Sequence, residues 1–127
     1  MILITGGAYQ GKLEFARDTF NISDDEIFYC TESTSSLDTR KIIINNLDEY
    51  IRSAIYSGKD EKYIKSQLND ECCGDKIIIV TDQSCGIVPL KKEDRLFREA
   101  LGRITTMLSQ KADEVYRVFC GIPQKLK

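Results

Sequence analysis

Histidine is missing from all 127 residues. Its absence excludes a Ser-His or Cys-His nucleophile pair, a histidine zinc ligand and a covalent histidyl-nucleotide intermediate on this chain. A basic surplus is missing too: 18 lysines and arginines stand against 20 acids, for a net charge of −2. Nothing here neutralises a nucleic-acid backbone or an anionic lipid face, so neither partner is expected. No apolar run is long enough to span a bilayer, and the start lacks a basic leader segment; no membrane association is expected, and the expected location is cytoplasmic. The five cysteines (Cys30, Cys72, Cys73, Cys85, Cys120) are odd in number and contain no C-x-x-C pair. They read as reduced, small side chains rather than disulfides or metal ligands.

Apolar residues make up 42% and charged residues 30%, the balance of a folded globular chain. The length suits one core, so residues 1–127 are expected to form a single domain. Short continuous apolar runs alternate with helical patterns. Ile2-Leu3-Ile4, Glu26 to Thr31, Lys41 to Asn45, Lys76 to Thr81 and Val115 to Cys120 read as strands; runs without polar alternation suit a parallel sheet covered on both faces. Leu13, Ala16 and Phe20 mark a first helix, and Leu47, Tyr50, Ile51, Ala54 and Ile55 a second, stopped at Ser57-Gly58. Tyr63, Ile64, Gln67 and Leu68 mark a weaker helix, and Leu96 to Leu108 a long one. The expected fold is a three-layer α/β domain with a central, mainly parallel sheet of about five strands.

The most informative stretch is Gly6-Gly7-Ala8-Tyr9-Gln10-Gly11-Lys12-Leu13, directly after the first strand and directly before the first helix. In that context, successive backbone N–H groups and a helix N-terminus cradle a phosphate, and a lysine reaches the outer phosphates. A hydroxyl is expected after the lysine to hold magnesium, which neutralises charge during phosphoryl transfer; here stands Leu13. The strand that should end in an acid ends in Asn45-Asn46, and an amide is a weak ligand for a hard dication. Asp48 and Glu49 follow on the next helix and read as first-turn acids facing solvent.

The start, together with Gly86-Ile87-Val88-Pro89, Phe97-Arg98-Glu99, Gly102-Arg103, Ala112-Asp113-Glu114-Val115 and Gly121-Ile122-Pro123 through Lys127, resembles the bifunctional adenosylcobinamide kinase / adenosylcobinamide-phosphate guanylyltransferase family of cobalamin biosynthesis. The likeness covers both ends of the chain, and the middle matches poorly. It implies a P-loop NTPase-like fold, GTP or ATP at Gly6 through Leu13, a nucleotide contact from Thr31, and substrate or phosphate contacts from Asn45, Asp82, Gln83 and Arg98. It also implies a corrinoid (cobinamide) partner and a homo-oligomer, a trimer.

The departures from the family fall on functional positions: Leu13 for its serine, Asn45 for its strand-end acid, Asp82-Gln83 for its Asn-Glu, and no histidine for guanylyl transfer. Guanylyltransferase activity is therefore expected to be absent, no residue is assigned to metal, and any surviving chemistry is kinase chemistry. Two alternatives stand beside this one: an inactive nucleotide- or corrinoid-binding partner protein, and a remnant whose loop binds no phosphate.

Overall fold

The structure, a computed structural model, describes residues 1–83 and 91–127. Gly86 to Pro89 and Cys85 lie outside the described residues.

Five short apolar segments form the parallel part of the sheet: β1 (Ile2–Gly6), β2 (Ile27–Tyr29), β3 (Ile43–Asn45), β4 (Ile77–Thr81) and β5 (Glu114–Phe119). The helices are α1 (Lys12–Phe20), α2 (Leu47–Tyr56), α3 (Glu61–Glu71) and α4 (Lys92–Lys111). The sheet order is β2-β3-β4-β1-β5-β6, so β1 runs through the interior with β4 and β5 as parallel neighbours. Both faces are covered, which is why β4 reads as an unbroken Ile-Ile-Ile-Val. Along β1, Leu3 points into one apolar layer with Ile78, Ile51, Ile64 and Leu108; Ile4 points into the other, with Ile79, Ala16 and Val118. Helices α2, α3 and α4 close the first layer and α1 closes the second.

Two elements differ from the sequence reading. Glu26 belongs to a 3-10 turn, Asp24–Glu26, where the Ser23 N–H and hydroxyl both bond the Glu26 carboxylate; this shortens β2. A sixth strand, β6 (Ile122–Lys125), runs antiparallel to β5. The connecting residues Cys120 and Gly121 both have positive φ (51° and 75°), as a two-residue hairpin turn with the twist of the strands demands. Phe119 and Ile122 flank that turn as the hydrogen-bonded pair, so Val118 opposite Pro123 is a non-bonded pair and the proline forfeits no ladder bond.

Among the described residues, no helix is long and apolar enough to cross a membrane.

Candidate nucleotide site

The carboxyl ends of β1, β3 and β4 open on one cavity of about 500 Å³. Its walls include Ala8 to Leu13, Asn45, Asp48, Thr81 and Gln83. A crevice beyond the carboxyl edge of a parallel sheet is where α/β folds take ligands.

The loop is held from behind. Gly6 has φ +149°, and a Cβ there would meet the Val118 carbonyl oxygen at 2.4 Å, so β1 can pass this close to β5 only with glycine. The Gly6 carbonyl accepts from the Asp82 N–H at 2.8 Å. Gln10 clamps the loop to the β5–β6 turn twice: its side-chain Oε1 accepts from the Cys120 N–H at 2.7 Å, and its carbonyl accepts from the Gly121 N–H at 2.8 Å. The carboxamide of Gln10 is thus occupied with the hairpin. Tyr9, at φ 58°, stands fully exposed at the loop's apex.

At the front, Gly11 (φ 92°) begins α1 without any side-chain cap. The first amides of a helix have no carbonyl partner within it, so an uncapped N-terminus facing a cavity presents donors and positive potential. Lys12 follows, 7% exposed, its ammonium donating to the Gly7 carbonyl at 2.6 Å. Burial lowers its pKa, opposed by the charges of Asp48 and Glu14. The lysine spans the loop from within. Leu13 lines the cavity edge while packing, half-buried, against the apolar layer of Ile4 and Ala16.

Asp48 corrects the sequence reading. It is 3% exposed rather than solvent-facing. Asn46 adopts a left-handed conformation (φ 57°, ψ 49°) immediately after β3, which starts α2 at once and turns its first residues back over the strand end. The Asp48 carboxylate accepts from the Thr81 N–H at 2.9 Å and from Gln83 Nε2 at 3.2 Å. Gln83 is oriented in turn by Arg52, which donates to its Oε1 at 3.2 Å, lies 4.4 Å over the Phe97 ring and pairs with Asp94 at 3.9 Å. Burial raises the Asp48 pKa, and the Thr81 amide, Gln83 and Lys12 act against that rise. Glu49 is half-buried on the same wall. A signal for Asp48 was present: it lies three residues before Ile51 on the helix face that is buried.

The other sequence-derived contacts divide. Asn45 and Gln83 line the cavity with the loop. Asp82 and Arg98 do not; they line a separate cleft of about 250 Å³ with Thr5, Gly102 and Thr105. Thr31 lines neither, and its hydroxyl sits within hydrogen-bond distance of Ser33 and Thr34 in an exposed turn. Among the described residues, no group of three or more acids or cysteines is placed to hold a metal by itself.

The family model described as cobinamide kinase / cobinamide phosphate guanyltransferase matches residues 31–126, so it includes the middle of the chain. A stretch of 56 residues is 41% identical to the bifunctional adenosylcobalamin biosynthesis protein CobU of Salmonella typhimurium strain LT2. Over 56 residues the identity to the protein of the same description from Escherichia coli K12 is 39%. In both cases the match covers 43% of this chain and 31% of the relative.

Proposed function

Because this chain belongs to the cobinamide kinase / cobinamide phosphate guanyltransferase family, we propose that it serves cobalamin biosynthesis by binding a purine nucleoside triphosphate, GTP or ATP, at its glycine loop. The observation that carries this reading is Lys12. A lysine 7% exposed, at the uncapped start of a helix and spanning a glycine loop, hydrogen-bonds a neutral carbonyl instead of pairing directly with a carboxylate. Its desolvation is a cost to the empty protein that a phosphate offsets.

In this reading the loop amides and the first amides of α1 hold the phosphates, and Lys12 turns from the Gly7 carbonyl to a phosphate oxygen. Guanylyl transfer through a histidine has no acceptor on this chain. Group transfer, where it occurs, is phosphoryl transfer, with the corrinoid cobinamide as acceptor. In this reading the protein works in the cytoplasm as a homo-oligomer, a trimer; light scattering of the purified chain checks the oligomeric state.

Thermal unfolding with GTP or ATP tests the binding. Nucleotide at about 100 times its dissociation constant adds about 2.7 kcal/mol of stability, and the gain disappears in Lys12→Ala. An unchanged melting temperature at millimolar nucleotide would overturn the reading.

A further inference from the structure

Asp48 and Lys12 share the cavity wall without a direct ion pair: the lysine bonds the Gly7 carbonyl, and the carboxylate bonds Thr81 and Gln83. Each charge nevertheless favours the charged form of the other. Where the Asp48 carboxylate stands therefore matters to the lysine that meets a phosphate. One of its anchors, the Thr81 N–H, is main chain of β4, in register with Gly6 of β1. The other, Gln83, is a side chain beyond the end of that strand, with rotamer freedom to lose.

Arg52 supplies what Gln83 lacks. It stands one turn after Asp48 on α2 and does not line the cavity. Its guanidinium donates to Gln83 Oε1 at 3.2 Å, lies 4.4 Å over the Phe97 ring and approaches the Asp94 carboxylate at 3.9 Å, so α4 holds it in place. A guanidinium has only donors, and an ionised carboxylate has only acceptors. A carboxamide caught between the two has one favourable sense: oxygen toward Arg52 and NH2 toward Asp48. The opposite sense sets N–H against N–H and oxygen against oxygen. Of the two Nε2 hydrogens one goes to Asp48, which leaves the other as a donor on the cavity wall.

We infer that Arg52 is a positioning residue of the nucleotide cavity: by fixing the sense of the Gln83 carboxamide it seats the Asp48 carboxylate and keeps an N–H donor, rather than a carbonyl oxygen, on the wall that phosphate oxygens meet. This role rests on the phosphate-binding reading of the loop.

Arg52→Met keeps an unbranched stem over Phe97 and loses every donor, whereas Arg52→Lys keeps a donor and a cation. Calorimetric titration with GTP and with ATP at about pH 8, above the range where carboxyls titrate, separates them. Binding should weaken about three- to tenfold in Arg52→Met and recover most of that loss in Arg52→Lys. The loss must also run through Gln83. In the Gln83→Ala background Arg52→Met should change affinity by less than about twofold, whereas a packing role against Phe97 would cost the same in both backgrounds.

A second readout needs no nucleotide. Burial raises the Asp48 pKa, and the bonds from Thr81 and Gln83 oppose that rise. Carboxyl NMR of the empty protein should therefore find the Asp48 midpoint raised in Arg52→Met, restored in Arg52→Lys, and unmoved by Arg52→Met when Gln83 is already alanine. The other titratable groups around Asp48 are untouched by these substitutions: Lys12 from α1, Glu49 beside it on α2, and Cys30, whose thiol burial and then the Asp48 charge push up to about 12. In the wild type itself, whatever Arg52→Met does to folding, the Gln83 carboxamide hydrogens should exchange slowly with solvent. Undiminished binding in Arg52→Met, an equal loss in the Gln83→Ala background, an unmoved Asp48 midpoint or a freely exchanging carboxamide each overturns the role of Arg52 and leaves the phosphate reading intact. No binding of either nucleotide to the wild type overturns the phosphate reading and the role of Arg52 with it.

Discussion

Replacing Gly6 by alanine should cost this protein a large part of its stability, while the same change at Gly102 should help it. At Gly6 the new methyl would lie 2.4 Å from the Val118 carbonyl oxygen, on a backbone with φ +149°. The neighbour is main chain of β5, which pairs with β1 through Thr5 and Arg117, so it cannot swing aside like a flexible side chain. Overpacking of this kind costs about 1–3 kcal/mol and a disfavoured backbone conformation about as much again. We take ~3 kcal/mol as the sum. With an unfolding entropy of about 2.1 cal/mol/K per residue over 127 residues, that corresponds to a fall in Tm of about 11 °C. Gly102 sits inside α4 with nothing within 4 Å and no positive φ. Alanine there gains about 0.8–1 kcal/mol of helix propensity, or ~3 °C. Thermal unfolding by circular dichroism on both variants decides the matter. If Gly6→Ala melted within about 2 °C of wild type, or if the two variants moved in the same direction, the account of how the loop is seated against β5 would be wrong.

Gln10→Ala removes the side-chain acceptor of the Cys120 N–H; it should cost about 0.5–1.5 kcal/mol and also weaken nucleotide binding, since the loop is then clamped to the hairpin only once. Unchanged melting and unchanged affinity together would count against Gln10 as a tether. Cys30 and Cys72 are buried, which pushes both thiols up to about 12, whereas Cys73 and Cys120 are exposed. Alkylation of the native protein at about pH 8, mapped by peptide mass spectrometry, should mark Cys73 and Cys120 quickly and spare Cys30 and Cys72 until denaturant is added. Equal labelling of Cys30 or Cys72 in the folded state would refute their burial.

Strands buried on both faces announce themselves as apolar runs, so Ile77 to Val80 and Ile2 to Ile4 were plain in the sequence. Strand β6 was not: all four of its residues are exposed, one is proline, and only the pairing with β5 makes it a strand. The glycine loop was legible because its chemistry is local, a strand, a run of small residues and a lysine before a helix. Asp48 was misread although it shares the buried face of α2 with Ile51, because the partners that satisfy its carboxylate, Thr81 and Gln83, lie 33 and 35 residues away. Asp82 and Arg98 were grouped with the loop by resemblance, yet the structure places them together at a cleft beside Thr5 and α4, away from Lys12.

The placement of Pro123 also governs what this sheet does in a crowded solution. An open edge is a template for another chain, and fibrils grow by adding strands to it. Here the ring of Pro123 occupies a site on the outer margin of β6 where an N–H would otherwise point outward, and the opposite margin, β2, is only three residues long. Phe119 and Ile122 are exposed beside that proline. They can be packed against, but the β6 edge beside them is a poor seed for runaway polymerisation.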